Sequence, residues 1–241
     1  PLGAVVRRLI VQRLRSRWAD VSAMNVFGLG YAAPYLGVFR NEATRVGALM
    51  PASQGVIAWP QDSARQAALV QEDDLPLPDS CADRLLVVHS LETVENTRAL
   101  LREVWRVLAP GGRAILIVPN RSGLWARFDT TPFGYGRPYS RGQLTKLLRD
   151  AMFTPLDWDQ ALYMPPFNWP ILLRGAIAWE RIGAIFWPGF CGVNIVEATK
   201  QIYAASPERK REKVRGKLYP VPAGSVAARS GTAHRTQNGS T

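Results

Sequence analysis

The sequence predicts an α/β protein built on a doubly wound, mostly parallel sheet with an antiparallel strand at its edge. Three observations carry that expectation. Short β-rich runs at 25–29, 45–50, 68–70, 84–89 and 113–118 alternate with helix-like or turn-rich segments, the order of a parallel sheet with covering helices. Between the last two, residues 94–108 form an amphipathic helical stretch: Val94, Leu100, Leu101, Val104, Trp105 and Leu108 share one side, and Pro110-Gly111-Gly112 closes it before the next strand. Finally, 154–163 and 192–203 read as two strands whose connection, about thirty residues long, lets them pair antiparallel at the edge.

The composition supports one packed domain with appendages. Of 241 residues, 47% are hydrophobic and 20% charged, which excludes collagen, coiled coil and wholesale disorder. The net charge of +11 sits at the ends: 1–20 carry +4, 207–241 carry +6, and the middle is nearly neutral at +1. A basic groove through the fold is therefore not expected, and with it nucleic-acid binding is disfavoured. Cys81 and Cys191 cannot build a disulfide framework, and His89 and His234 leave too few soft ligands for a structural zinc, so no metal site is expected and a cytoplasmic location fits.

Taken in order, residues 1–20 read as an amphipathic basic helix, with Val5, Val6, Leu9, Ile10, Leu14 and Trp18 on one side and arginines largely on the other. Such a helix packs on its domain or lies on an anionic membrane as a peripheral contact. The turn 28–34, Gly-Leu-Gly-Tyr-Ala-Ala-Pro, follows the first strand at the position where doubly wound sheets bind ligands. It has neither a three-glycine dinucleotide fingerprint nor a phosphate-loop lysine. Ser140 signals a helix N-cap ahead of Leu144, Leu147, Leu148 and Met152. The domain is expected to span 21–206, with an aromatic insertion at 165–190 containing Trp169, Trp179, Phe186 and Trp187. That insertion covers a substrate pocket, meets a protein partner or second copy, or rests on a membrane. Residues 207–241 are basic and poor in apolar side chains, the composition of a disordered tail.

Two segments are more specific: Leu75-Pro76-Leu77-Pro78-Asp79, entering the fourth strand, and Arg106-Val107-Leu108-Ala109-Pro110-Gly111-Gly112, ending the helix before the fifth. In this order, over about residues 22–157, they resemble the class I S-adenosylmethionine-dependent methyltransferases, in particular the methyltransferase type 11 group. The resemblance implies a Rossmann-like sheet, S-adenosylmethionine as cofactor and a small-molecule substrate. It assigns the cofactor to Gly28, Gly30, Tyr31 and Ala32 in the first turn, to Met50 after the second strand, to Gln71 and Glu72 after the third, and to the segment at His89 after the fourth. The family's first motif, Asp-x-Gly-x-Gly-x-Gly, is degenerate here: Gly28 stands for the acid, Gly30 is kept, and Ala32 and Pro34 replace later glycines. The acid that accepts the ribose hydroxyls is replaced by Met50, a loss on the order of 1.5–3 kcal/mol per charge-assisted bond.

Methyl transfer from a sulfonium needs alignment and, for some acceptors, removal of a proton. His89, at the carboxyl end of a strand, is the candidate base, with Tyr139 on the acceptor side. Trp125, Phe133, Tyr135, Arg137 and Tyr139, in the loop after the fifth strand, are candidate substrate-pocket residues. Two functions follow: a methyltransferase acting on a small molecule, or a non-catalytic member of the fold that binds a protein partner.

Overall fold

A computed structural model describes residues 2–128 and 131–201. Seven strands form one sheet: β1 (Asn25–Gly30), β2 (Arg45–Pro51), β3 (Ala67–Val70), β4 (Ala82–Val88), β5 (Leu108–Pro119), β6 (Phe153–Ala161) and β7 (Val193–Lys200). Their order is β3-β2-β1-β4-β5-β7-β6. The first five pair in parallel, and β7 runs antiparallel to both β5 and β6. The mixed margin expected from the sequence is present; the antiparallel strand itself lies one place in from the edge.

The strands read as unbroken apolar runs because both faces of the sheet are covered. In β4, Leu86 and Val88 point into one core layer while Leu85 and Val87 point into the other. The first layer is closed by α1 (Leu2–Arg17) and α2 (Ala33–Leu36), the second by α3 (Thr97–Val107) and α4 (Arg141–Asp150). The helix expected over 94–108 begins later, where the Asn96 side chain accepts from Ala99 N. Pro110-Gly111-Gly112 does not precede β5 but lies within it. The strand starts at Leu108, opposite Ala82, and its register slips before Arg113 pairs with Arg84, with Gly111 at φ +74° taking up the irregularity.

Helix α1 packs on the domain. Val6, Leu9, Ile10 and Leu14 are buried, and the Trp18 indole N–H donates to Glu197 of β7 at 3.1 Å. Its basic side is largely neutralised within the fold: Arg15 bonds Glu42, Arg17 bonds Asp157 and Asp159 of β6, and Arg13 faces Asp159. The membrane-surface reading of this helix loses the apolar face it requires. No helix among the described residues is long and apolar enough to cross a membrane.

The insertion folds as α5 (Pro170–Arg174) and α6 (Ala176–Phe186). One buried acid fastens it: the Glu180 carboxylate accepts the backbone N–H groups of Leu162 and Tyr163, and burial pushes its pKa up. The expected tail, 207–241, lies outside the described residues.

Candidate functional site

The sheet order reverses between β1 and β4, the switch point at which ligands bind outside the carboxyl ends of the strands. Two cavities lie there. The larger, about 400 Å³, is lined by Leu2, Val6 and Arg7 of α1, by Tyr31, Pro34 and Tyr35 of the first turn and α2, and by His89, Trp125, Thr131 and Phe133. The smaller, about 80 Å³, lies among Gly30, Tyr31, Ala33, Met50, Gln54, Gly55 and Ile57. Tyr31 lines both. A groove of about 520 Å³ between α3 and α4, lined by Arg98, Arg102, Trp105, Leu147 and Met152, lies toward the amino ends of β5 and β6, remote from this switch point.

His89 follows β4 with φ +54°, a conformation sparsely used by residues with a side chain. It is 6% exposed, its ring 4.5 Å from that of Phe133. Its Nδ1 lies 2.7 Å from Glu92 Oε1, and Glu92 is itself buried. Oxygen Oε2 of Glu92 has no partner among the described residues. A carboxylate on Nδ1 fixes the ring and its tautomer, leaving Nε2 as the proton acceptor. Around this pair the walls are apolar: Trp125 spends its indole N–H on Met164 O at 2.7 Å, and the Arg7 Nε donates to Pro34 O. Burial pushes the Tyr35 hydroxyl well above the usual tyrosine range, so it stays a neutral donor.

The structure thus brings His89, Tyr31, Trp125 and Phe133 together around the larger cavity and Gly30, Tyr31 and Met50 around the smaller, and leaves the other expected residues elsewhere. Gly28 is mid-strand in β1 beneath α2, where a side chain would run into Ala32 and Leu36. Ala32, buried, packs back on it. Gly30 is at φ +79°, and a side chain there would meet the Val88 carbonyl and the Ser90 hydroxyl rather than a ligand. Met50 lines the small cavity, and its sulfur accepts from Ile57 N at 3.2 Å. Gln71 is exposed; Glu72 is half-buried with one oxygen unpartnered, its pKa raised by burial and by Asp73, and neither lines a cavity. Tyr135 and Arg137 are exposed, and the Arg137 backbone N–H donates to Glu92 O at 2.8 Å. Tyr139 packs on the second core layer and donates its hydroxyl to Leu91 O at 3.2 Å, so it does not reach the pocket.

Sequence reasoning missed the α1 wall, Thr131 and Gln54. The α1 wall and Gln54 meet the site only through tertiary contacts, so no local pattern announces them; Thr131 sat unread in a loop already singled out. Glu92 had a signal: an acid three residues after the histidine in a turn. Neither cysteine lines these cavities, and burial raises both thiols, Cys191 to about 12.

Residues 17–116 match a family profile described as a methyltransferase domain. No curated protein matches the chain. Among solved structures, a chain of the complex between the Haloferax volcanii Trm112 methyltransferase activator and a methyltransferase superposes with TM-score 0.62 at 16% identity, covering 80% of this chain and 88% of that one. The [4+2]-cyclase SpnF superposes with TM-score 0.56 at 21% identity, over 80% and 81%. Geranyl diphosphate C-methyltransferase from Streptomyces coelicolor, in complex with S-adenosyl-L-homocysteine, gives 0.55 at 15% identity, over 80% and 77%. This is a class I methyltransferase fold. Likeness at these identities establishes the fold, and the cyclase illustrates how far chemistry varies on it.

S-adenosylmethionine, the cofactor of the methyltransferases that share this fold, can be tested against the residues present. In favour, Glu72 offers a buried, unpartnered oxygen after β3. Against, the site assigned to the ribose holds Met50, and the cavity beside it measures about 80 Å³, against roughly 300 Å³ or more for an ordinary ligand pocket. The Gln54 side chain spans the remaining gap, donating to His89 O and, at 3.2 Å, to Thr93 Oγ1. With residues 52–57 in this position, the site does not fit the cofactor.

Proposed function

We propose that this methyltransferase-fold chain is a methyltransferase acting on a small, largely apolar acceptor held in the 400 Å³ pocket, and that it takes S-adenosylmethionine only with residues 52–57 displaced from the position described above. The observation that carries the reading is the buried His89–Glu92 pair on the wall of that pocket, at the switch point of the sheet. Glu92 holds the Nδ1 proton, and Nε2 takes the proton that an acceptor hydroxyl or amine must lose. Leu2, Val6, Trp125 and Phe133 bind the apolar body of the acceptor and exclude water. His89→Ala is expected to lower turnover about a hundredfold with little change in cofactor affinity. Calorimetric titration with S-adenosylmethionine and S-adenosylhomocysteine tests the reading directly: no heat from either at millimolar concentration overturns it.

A second reading, a non-catalytic member of the fold that meets a protein, draws support from the closed cofactor cavity and from α6. There Ile185 and Phe186 are 74% and 73% exposed, beside exposed Ile177, Ile182 and Phe190. The occupant of that face would be a second copy of the chain or another protein. Light scattering of the wild type against Ile185→Asp/Phe186→Asp checks the self-association arm.

A further inference from the structure

We propose that Gln54 is a latch: its side chain closes the cofactor cleft from above, and ligand entry there requires it to let go of the turn after β4. The name of the ligand rests on the methyltransferase reading; the latch itself does not.

Strands β2 and β3 are joined by residues 52–66 without a helix. The two ends of this loop are tied down. Ala52 N donates to Val70 O at 3.0 Å, and Gln66 N donates to Trp59 O at 2.8 Å, next to the Arg40–Asp62 pair at 2.9 Å. The middle is not buried: Gln54, Gly55, Val56 and Ile57 are all exposed. Backbone bonds from Gln54 N and Gly55 N to Pro51 O, at 2.9 and 3.2 Å, form the turn itself; what ties that turn across the sheet is the Gln54 amide on His89 O and Thr93 Oγ1, together with the Ile57 N–H on the Met50 sulfur, a weak acceptor. Gly55, at φ +78° with open space around it, supplies a pivot.

The direction of the reach matters. Gln54 starts from the end of β2 and ends on the carbonyl after β4, and β1 lies between those strands. It therefore crosses the switch point, the crevice where a doubly wound sheet receives its ligand. Its partner residue, His89, lines the large cavity, Gln54 itself lines the small one, and Tyr31 borders both. Releasing the amide removes the tie between the two walls and joins the cavities into one site. Large apolar side chains at 56 and 57, left on the surface by the closed loop, gain a surface to cover once a ligand lies beneath them.

Two measurements on the full chain test this. Titration with S-adenosylhomocysteine is expected to give weak binding to the wild type and at least about tenfold tighter binding to Gln54→Ala, the value of one or two neutral hydrogen bonds. Hydrogen exchange without ligand is expected to be about tenfold faster at Gly55 and Ile57 in Gln54→Ala, with exchange in β4 unchanged. Equal affinities for both chains overturn the latch and leave methyl transfer standing. No binding by either chain removes the methyltransferase reading, and exchange then decides the latch alone: unchanged exchange at 55 and 57 overturns it.

Discussion

The two halves of the sheet around the switch point are built on different terms. On one side, β4 passes through α3 into β5, residues 85–88 and 114–119 of the two strands are all buried, and the connection carries an eleven-residue helix capped by Asn96. On the other, β2 reaches β3 through an irregular loop, and β3 has four residues with two of them exposed. A strand that is buried on both faces needs a covering helix, and its neighbours fix its register. A short outer strand needs neither, so its connection is free to take up a role over the crevice instead.

Two glycines with the same backbone conformation sharpen this contrast. Gly30 and Gly55 have φ +79° and +78°, but a side chain at Gly30 runs into Val88 and Ser90 while one at Gly55 meets nothing within 4 Å. Gly30→Ala is expected to cost about 3 kcal/mol or more, from overpacking added to strain. Gly55→Ala should cost about 1 kcal/mol, the strain alone. Urea unfolding of both variants measures the difference, and equal losses would dissolve the distinction between the halves.

Helix α6 is an intermediate case, exposed like the loop yet pinned by one buried acid. Because burial raises the pKa of Glu180, the folded state holds its proton more tightly than the unfolded chain does. Its contribution to stability is therefore full at pH below the ordinary glutamate range and is lost as pH rises through the higher folded value. Glu180→Gln should flatten that slope in unfolding curves compared with the wild type across the acid-to-neutral range. The smallest effect belongs to the loop: Ile57→Ser should shift stability by less than about 0.5 kcal/mol. A larger loss would mean that the loop is part of the core after all.

Much of the fold was legible because its signals are local. Alternating strands and helices gave the parallel core, and Ser140 does cap α4, exchanging bonds with Gln143 as a capping box. The irregular register of β5 was not legible, since Pro110-Gly111-Gly112 reads locally as a helix stop and only the pairing with β4 reveals a slipped strand. The same limit applies to the site. His89 is singled out by its place at a strand end, whereas Gln54 reaches it across 35 residues of sequence and Leu2 lies farther still. Tyr139 was misplaced because a loop position does not say which face of the sheet the ring will seek.

The arginine contacts of α1 also bear on how the sheet ends. An edge strand offers unpaired N–H and C=O groups to any passing strand, and proteins blunt such edges with charge, proline, bulges or brevity. Strand β6 uses three of these devices: Pro155, a register shift between Pro155 and Asp157, and the carboxylates of Asp157 and Asp159 clamped by Arg17. Strand β3, at the opposite edge, is only four residues long. Among the described residues, neither margin offers a long bare strand on which another chain could extend the sheet.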